Sequence, residues 1–508
     1  MTCGWRTWRG RRMLRCLMAG VLVLFCGISA ADAPARHYGL VVVGIGSGGF
    51  GAALAGARQG LSVLCLEIAD RIGGNAVRSG VTCWEPGVGG TGFPFEIYKR
   101  LEKKPGAVAV YSFGRHISWS GWDAFPGGEK VPDPAGKYID TLQRHPPQGQ
   151  AADTEYRREN WHGVVFEPDA YEATLRTMLA ETGNADLRTE TTFDSVAVAD
   201  GRITGMRLTD GTRVTADAYV DATGGGALCR ACGCEMLSGQ ESRSRFGEPS
   251  APETPNDLLN GVTLIFRVTK TDQPGIEPVP EDIPGKCWWG RFPAMSAVQY
   301  PNGDYNCNML PTMAGREAQR LGREKAYREC VRRVRAFWRH VQTRWPEFQA
   351  YRIAWLAPAL GVRESARVLG EYVLKEQDLR AGLAGQKHPD IITIADHAFD
   401  RHGAGGGGGE VKQPYGVPYR CLIPKGFTNL LIACRGASFS SLAASSCRLS
   451  RTMMQLGQTA GTAAALAHKH GVGLPEVPPE ALRQALADQH AALAWPRPEA
   501  LTVYLQAE

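Results

Sequence analysis

Blocks of apolar residues alternate with blocks of glycine and small residues between positions 40 and 67, which read LVVVGIGSGGFGAALAGARQGLSVLCLE. An apolar run at 40–43 stops at three glycines in the spacing Gly-x-Gly-x-x-Gly. A stretch of small residues follows, and a second apolar run at 61–66 ends in an acid. The pattern predicts a buried strand, a tight turn, a helix and a second buried strand.

Each glycine of this turn has a separate role in binding a dinucleotide. Gly44 permits the tight turn, Gly46 lets the backbone approach a pyrophosphate, and Gly49 lets the helix pack closely on the strand. The first N–H groups of the helix are then available to the phosphates. Glu67, at the tip of the second strand, can hydrogen-bond a ribose hydroxyl. An ordinary glycine-rich turn is the alternative, and the combination of both strands, the helix and the acid argues against it.

Regular and irregular segments follow one another along the rest of the chain. Residues 93–150 show no regular pattern and are expected to be irregular loops. A helix is predicted at 167–181, and Asp-Gly turns join three short strands into an antiparallel meander at 189–198, 203–208 and 212–216. Further predicted elements are a strand at 218–226, a long basic surface helix at 314–345, a strand at 429–434, a helix at 448–470 and a short peripheral tail from 475 onward.

Composition places the chain among ordinary globular proteins. It has 508 residues, of which 44% are hydrophobic and 21% charged, so two domains are expected. Five arginines within the first 15 residues account for most of the formal net charge of +6. The remainder is nearly neutral, so the charge gives no indication of nucleic acid or of a membrane surface as partner.

The N-terminus has the layout of a targeting signal. The arginines precede an apolar run at 16–28 and several small residues, which predicts a secretory signal peptide cleaved after Ala30 or Ala33. The run is short for a transmembrane helix, and an uncleaved anchor is the alternative. Arg11 and Arg12 partly match a twin-arginine export signal. We expect a periplasmic or secreted protein whose mature chain has no membrane span.

The cysteine pattern does not predict a metal site. The chain has 14 cysteines, three of them in the signal. Cys229, Cys232 and Cys234 lie close together without a fourth ligand at metal-site spacing. A local disulfide and plain buried thiols remain the two alternatives.

The order of the segments distinguishes between dinucleotides. After the first strand, helix and strand, the chain inserts a long loop and a meander, then returns to the sheet near 218–226 and again near 430. This discontinuous plan suits FAD, whose reactive ring lies far from the glycine turn. NAD as the bound cofactor is the weaker alternative, because a nicotinamide dehydrogenase would continue with alternating strands and helices. The sequence contains no second strand–GxGxxG–helix unit, so a dedicated NAD(P)H domain is not expected either.

Four segments resemble the FAD-dependent oxidoreductase family, which is related in fold to the glutathione-reductase and fumarate-reductase flavoproteins. They are residues 41–92, 189–226, 361–378 (GVRESARVLGEYVLKEQD) and 417–467, which includes CRGASFSSLAASSCRLSRTMMQLGQTAGTAAALA. The resemblance implies an α/β fold with a Rossmann-like FAD-binding domain, a parallel sheet, an antiparallel meander and a second α+β substrate or cap domain. The implied organisation is a signal peptide at 1–33, FAD-binding parts at 38–95, 166–235 and 416–472, a loop-rich insertion at 96–165, a substrate or cap domain at 236–415 and a tail at 473–508.

The same resemblance assigns expected roles to individual residues. Those expected to hold FAD are Gly44, Gly46, Ser47, Gly48, Gly49, Glu67, Arg71, Gly73, Gly74, Thr223, Gly224, Gln458 and Gly461. The helix carrying Gln458 would pack under the cofactor, and a positive helix end near 445–448 would face the flavin C2 carbonyl. Many relatives have an acid where this chain has Gly225 and Gly226. The hydrogen bond to the cofactor that this acid would make therefore has no assigned residue in this chain.

Three residues are the expected catalytic groups. Arg448 would lie beside the flavin, and His397 would accept a proton from the substrate. Arg363 would either clamp an anionic substrate or hold a structural carboxylate; for Arg367 the structural role is favoured. His402 lies in the same loop as His397.

The expected activity is the oxidation of a small organic substrate by non-covalently bound FAD. Oxygen, a quinone or a carrier protein could accept the electrons. One alternative is an electron-transfer subunit similar to heterodisulfide-reductase relatives, against which the lack of iron–sulfur cysteine motifs argues. A carbohydrate-acting lyase or binding protein is a further alternative without specific support.

Overall fold

The computed structural model describes residues 35–114, 128–146, 153–279, 281, 294–403 and 409–507. The predicted signal peptide lies outside the described residues. Within the described part of the chain, no helix is both long and apolar enough to cross a bilayer. All ten described cysteines are free thiols.

A seven-stranded sheet carries the glycine turn. Its strands are Arg36–Val43, Val63–Leu66, Ala185–Arg188, Phe193–Ala199, Arg202–Leu208, Arg213–Asp221 and Leu430–Ile432. Arg36–Val43 pairs in parallel with Val63–Leu66 on one side and with Arg213–Asp221 on the other. Leu430–Ile432 adds a further parallel partner to Arg213–Asp221. The predicted Rossmann-like α/β fold is confirmed.

The antiparallel meander branches from the same sheet. Phe193–Ala199 pairs with Arg202–Leu208, which in turn pairs with the start of Arg213–Asp221. Asp200 and Gly201 both have positive φ, 49° and 68°, as an Asp-Gly hairpin turn requires. The strands predicted separately at 212–216 and 218–226 form one continuous strand.

Two long helices cover this sheet. The helix Ser47–Arg58 follows the glycine turn, and the helix Ser450–His470 packs beside it. Alanines and glycines dominate both, and their side chains are buried in the core that also includes the sheet. The helix Ser450–His470 begins two residues later than predicted. A separate short helix, Ser441–Ser446, precedes it and has Cys447 as its C-cap residue. The helix predicted at 167–181 is Pro168–Ala180.

An eight-stranded sheet forms the second layer of the molecule. Its strands are Cys83–Trp84, Val108–Phe113, Glu129–Pro132, Gly163–Phe166, Phe266–Lys270, Ala294–Gln299, Tyr305–Leu310 and Tyr351–Leu356. Two of these strands, Val108–Phe113 and Glu129–Pro132, and the helix Phe93–Glu102 lie in the stretch that was expected to be irregular. Glu129–Pro132 finds its partner in Ala294–Gln299, far along the chain, so local sequence does not indicate it.

The long basic helix is broken and partly buried. Gly322, with φ of 75°, separates Gly315–Leu321 from Arg323–Arg344. Val334, Phe337 and Trp338 pack into a core with the second sheet. The arginines of the predicted charged face are exposed or half-buried, and the apolar face opposite them is the part that the charge pattern did not indicate.

The C-terminal segment is integrated into the core. It forms the helices Pro479–Asp488 and Glu499–Gln506, whose leucines are buried. This differs from the expected peripheral tail.

Short elements complete the described part of the chain. The remaining α-helices are Asn75–Arg78, Thr154–Asn160, Ala227–Ala231, Arg243–Phe246 and Glu376–Gly385. Short antiparallel pairs join Met236–Leu237 to Arg367–Val368, Val262–Thr263 to Gly361–Val362 and Ile391–Ala395 to Tyr415–Pro418.

Candidate functional site

A cavity of about 1430 Å³ opens at the carboxyl ends of the parallel strands, between the two sheets. One wall consists of the glycine turn and of Thr223 and Gly224, which follow the strand Arg213–Asp221. Ser296 and Asn308 of the second sheet and Thr263 of the short pair beside it contribute to the opposite wall. This edge of an open parallel sheet is where such folds bind their ligands.

The glycine turn leaves room for a ligand at one position only. A Cβ on Gly46 would meet no atom closer than the Cα of Gly74, at 3.8 Å, so this face of the turn looks into the cavity. A Cβ on Gly44 would lie 2.7 Å from the carbonyl oxygen of Ala222, and Gly44 also has φ of +88°. A Cβ on Gly49 would overlap the carbonyl oxygen of Gly44. Gly44 and Gly49 are therefore required by the fold, and Gly46 keeps space for a bound group.

The N-terminus of the helix Ser47–Arg58 can bind an anion. Gly46 occupies the N-cap position without a side-chain cap, and the first turn contains no acid. Ser47 and Gly48 line the cavity. N–H groups of such a first turn point at a bound phosphate, and the helix dipole favours its negative charge.

Glu67 is held in place by the backbone. One carboxylate oxygen accepts the N–H of Ile45 at 2.8 Å and the other that of Ala69 at 3.0 Å. Burial raises the pKa of Glu67. The carboxylate lines the cavity, and each oxygen keeps a lone pair for a ribose hydroxyl.

A second helix N-terminus reaches the same cavity. Residues 449–453, which begin the helix Ser450–His470, line the wall, and this helix also lacks a side-chain cap and a first-turn acid. The positive end expected near 445–448 is thus displaced to residue 450. Gln458 and Gly461 lie deeper on this helix and do not line the cavity: Gln458 donates to Gln489 at 3.1 Å, and Gly461 packs against Ala52.

Arg71 does not face the cavity. Its guanidinium binds Glu172 at 2.5 Å and Asp169 at 2.6 Å, both on the helix Pro168–Ala180. Arg71 therefore anchors the loop after the second strand instead of lying along the AMP half of a cofactor. Gly73 stabilises the glycine turn, because its N–H donates to the carbonyl oxygen of Ile45 at 2.7 Å. Gly74 lines the cavity.

Thr223 and Gly224 are positioned by a buried carboxylate. Asp221 accepts both the N–H and the hydroxyl of Thr223, at 3.0 and 2.8 Å, and the N–H of Cys229 at 2.9 Å. The guanidinium of Arg435 packs over Gly224, whose Cβ would lie 2.6 Å from Nη1 of Arg435. The neighbouring Gly225, at the position where many relatives have an acid, also lines the cavity.

Arg435 has no polar partner among the described residues. Its Nε atom is buried and makes no hydrogen bond there. Burial lowers the pKa of Arg435, and the charge of Arg448 adds to the effect. Arg435 follows the strand Leu430–Ile432 at the same sheet edge as the glycine turn, so a bound diphosphate would supply the missing negative charge.

His397 lies in the cavity wall and has a carboxylate neighbour. Its Nδ1 lies 3.0 Å from the carbonyl oxygen of Ala398, so Nδ1 carries a proton, and Nε2 lies 3.7 Å from Glu85. The buried ammonium of Lys130 lies 3.4 Å from Glu85 and holds the pKa of that carboxyl well below its usual range, with His397 contributing. The three groups form a chain of ionisable side chains that runs from His397 and Glu85 in the cavity wall to the buried Lys130 behind it.

Arg448 also lies in the cavity wall, paired with an acid. Its guanidinium binds Asp400, which His402 contacts from the other side at 2.7 Å. Burial opposes the ionisation of Asp400, but the hydrogen bond from His402 and the charge of Arg448 outweigh it and hold the pKa of Asp400 below its ordinary value. All three residues line the cavity.

The two arginines of the 361–378 segment have different roles. Arg367 is fully buried and binds Glu241 and Glu364, each at 2.6 Å, which agrees with the expected structural role. Arg363 lines the cavity and binds no carboxylate among the described residues; its Nη1 donates to the carbonyl oxygen of Gly261 at 3.0 Å and to Thr263 Oγ1 at 2.6 Å.

Sequence reasoning missed three cavity residues and one residue next to the cavity. Arg435 lies within the recognised segment CRGAS and could have been noted there, whereas Glu85 and Asn308 of the cavity and the neighbouring Lys130 come from short strands and loops without a motif. The Oδ1 atom of Asn308 is buried and accepts no hydrogen bond from the described residues. No local signal would have found these three.

The residues of the turn wall fit FAD. An open glycine face, an uncapped helix end and an unpartnered arginine occur together at the sheet edge. The residues that would hold the cofactor are Gly44, Gly46, Ser47, Gly48, Glu67, Gly74, Thr223, Gly224 and Arg435.

Comparison with known protein families agrees with this fit. The family described as FAD dependent oxidoreductase matches residues 39–486. No curated protein matches the chain.

Solved structures with a similar arrangement include several flavoproteins. A geranylgeranyl bacteriochlorophyll reductase-like protein from Thermoplasma acidophilum is 11% identical, with 94% of this chain and 97% of that chain covered and a TM-score of 0.41. p-Nitrophenol 4-monooxygenase from Pseudomonas putida is 12% identical, with 90% of this chain and 81% of that chain covered and a TM-score of 0.37. A myxobacterial FAD-dependent chondrochloren halogenase is 11% identical, with 90% of this chain and 79% of that chain covered and a TM-score of 0.40. Similarity at this level carries no argument about the chemistry of this chain.

Proposed function

Because this chain belongs to the FAD-dependent oxidoreductase family, we propose that it oxidises a small organic substrate with non-covalently bound FAD. The observation that carries the proposal is a single cavity. It joins the glycine turn and Glu67 on one wall to His397, Arg448 and Arg363 on the other. A dinucleotide and a small substrate can therefore meet within one enclosed space.

FAD, when bound, supplies the acceptor for a hydride from the substrate. The side chains of this protein bind and orient the reactants and move the accompanying proton. His397 accepts that proton at Nε2, and the charge of Glu85 stabilises the imidazolium that forms. Arg448 and the N-terminus of the helix Ser450–His470 stabilise negative charge that develops at the same wall.

An absorbance experiment tests the cofactor and the substrate separately. The purified protein is incubated with FAD and filtered, and its visible spectrum is recorded. We expect flavin bands that are lost on denaturation, because the FAD is not covalently attached. The loaded protein is then mixed anaerobically with sugars, polyols, hydroxy acids and amines. Bleaching by one class supports the proposal, whereas absence of flavin bands after reconstitution would contradict it.

We also propose that the protein is exported and loses about its first 30 residues. The support is the arginine-rich start and the apolar run at 16–28. N-terminal sequencing of the protein from its native host tests the proposal; Met1 on soluble cytoplasmic protein would contradict it. Replacement of Arg11 and Arg12 together by lysine should block export by the twin-arginine route, and undiminished export would indicate the general secretory route.

A further inference from the structure

The positive charges of the cavity wall are unevenly compensated. Arg448 binds Asp400, and Arg451 binds Thr141 and the backbone carbonyl of Glu85. Arg363 and Arg435 contact no carboxylate among the described residues. Arg451 likewise contacts no carboxylate there, but both of its terminal guanidinium nitrogens donate hydrogen bonds, whereas Nη2 of Arg363 and Nε of Arg435 donate none to described residues.

Arg363 is anchored so that its charge remains available. Its contacts at Gly261 and Thr263 use a carbonyl and a hydroxyl oxygen, both neutral acceptors, and both through Nη1. The strand Val262–Thr263 pairs with Gly361–Val362, directly before Arg363, and the hydroxyl of Thr263 donates to the carbonyl oxygen of Met309 in the second sheet at 3.3 Å. The other guanidinium nitrogens make no hydrogen bond to described residues, and the side chain lines the cavity.

An enclosed cation without an anion is unfavourable. Burial lowers the pKa of Arg363 to about 9, and the nearby charge of Arg448 adds to the effect, although Asp400 and Glu85 oppose it. Those two acids are already bound, Asp400 to Arg448 and Glu85 to Lys130. A ligand anion is the remaining source of compensation, and a guanidinium binds carboxylates through two parallel hydrogen bonds.

Arg363 and Arg435 are anchored on different elements. Arg435 lies over Gly224 at the edge of the parallel sheet, where a diphosphate would bind. Arg363 binds Thr263, whose hydroxyl donates to the carbonyl oxygen of Met309 at 3.3 Å, next to Asn308 in the wall formed by the second sheet. The Oδ1 atom of Asn308 has no hydrogen-bond partner among the described residues, so this wall offers a neutral polar group in addition to the cation.

We propose that the substrate of this enzyme is a carboxylate anion and that Arg363 binds its carboxylate group. The proposal rests on the proposed function, since it names the substrate class for the same cavity. The amide of Asn308 hydrogen-bonds a second polar group of the substrate. Arg435 serves the cofactor, so Arg363 and Arg435 bind two different anions.

Ligand perturbation of the flavin spectrum tests the proposal without turnover. FAD-loaded protein is titrated with acetate, propionate and benzoate, and with the matched amides acetamide, propionamide and benzamide, at constant ionic strength. We expect carboxylates to bind at least about 10-fold more tightly than the amides of equal shape. Equal binding of acid and amide, or no binding of any carboxylate to loaded protein, would overturn the proposal.

Three variants separate the roles of the arginines. Arg363→Gln should weaken carboxylate binding about 10-fold or more and leave the FAD dissociation constant unchanged. Arg363→Lys should keep the preference for acid over amide with intermediate affinity, and it serves if the glutamine variant does not fold. Arg435→Gln should instead weaken FAD binding about 10-fold or more. Arg207→Gln, on an exposed strand of the first sheet, is the matched control for both measurements.

The outcomes distinguish this proposal from the proposed function. Unchanged carboxylate binding in Arg363→Gln, or a loss of FAD affinity in that variant, would refute the role of Arg363. Failure of the wild-type protein to bind FAD would refute the proposed function instead, and it would be seen before any carboxylate is added.

Discussion

Gly48 and Gly457 bring two helices into backbone contact: a Cβ on Gly457 would overlap the carbonyl oxygen of Gly48. Further along, Gly461 meets Ala52 in the same way. Contacts therefore advance in the same direction along both helices, which run parallel and start at the same cavity. This close packing directs two helix N-termini, and so two partial positive charges, towards one site.

Replacement of Gly457 by leucine should disrupt this contact. The added side chain has no space against Gly48, so the helices must separate and expose core alanines. We expect a loss of about 3 kcal/mol or more in the free energy of unfolding, measured by urea denaturation of the apoprotein. Lys469→Ala, at the exposed end of the same helix, is the control and should change stability little. Equal stability of both variants would show that the glycine contact is dispensable.

Gly46→Val should abolish FAD binding and spare the fold. A Cβ at this position would have no neighbour closer than 3.8 Å, so the apoprotein can accommodate it, but the side chain occupies the space for the diphosphate. Fluorescence titration with FAD measures the loss. Gly205→Val carries the same substitution where the nearest neighbour is at 3.9 Å on the strand Arg202–Leu208, and it should bind FAD normally. Retained flavin in Gly46→Val would count against the cofactor site.

Arg448→Ala should slow flavin reduction at least ~10-fold, because one lost charge-assisted contact corresponds to ~1.4 kcal/mol or more. Stopped-flow absorbance under anaerobic conditions measures the rate. Arg339→Ala is the control, because this arginine lies on the long helix Arg323–Arg344 and does not line the cavity. A wild-type rate in Arg448→Ala would mean that the arginine only neutralises Asp400.

His397→Gln should remove the proton acceptor. The variant should reduce the flavin about 100-fold more slowly, as measured by anaerobic stopped-flow absorbance. His470→Gln, exposed at the end of the helix Ser450–His470, should keep the wild-type rate. A wild-type rate in His397→Gln would exclude it as the base.

Glu85 should make stability depend on acid pH. Its folded-state pKa is held below the ordinary value by Lys130, so its contribution is complete above about pH 4.3, the usual pKa of a free glutamate, and is lost as the pH falls through the depressed value. Glu85→Gln should therefore destabilise the protein near neutral pH, and the difference from wild type should shrink below about pH 4. Urea denaturation at several pH values measures it; a difference independent of pH would show that the carboxylate charge is not the cause.

Local patterns were sufficient for the nucleotide-binding half of the fold. The strand Arg36–Val43, the helix Ser47–Arg58 and the meander were predicted within a few residues. Their signals are local: apolar runs for buried strands, glycines where no side chain fits, and Asp-Gly where two residues need positive φ. Family resemblance added FAD, which the family comparison confirms.

The wall facing the glycine turn was decided by tertiary structure. Lys130 meets Glu85 because segments far apart in sequence are brought together by the second sheet, and His397 reaches Glu85 from a loop outside that sheet. Such long-range contacts leave no periodic signature in the sequence. The sequence determined by itself the turn and the residue types that can bind a dinucleotide, since backbone sterics act over a few residues. Only the tertiary structure decided which charges remain unpaired, since that depends on every neighbour in space: Arg71 was expected at the cofactor and binds two acids, while Arg435 has no partner among the described residues.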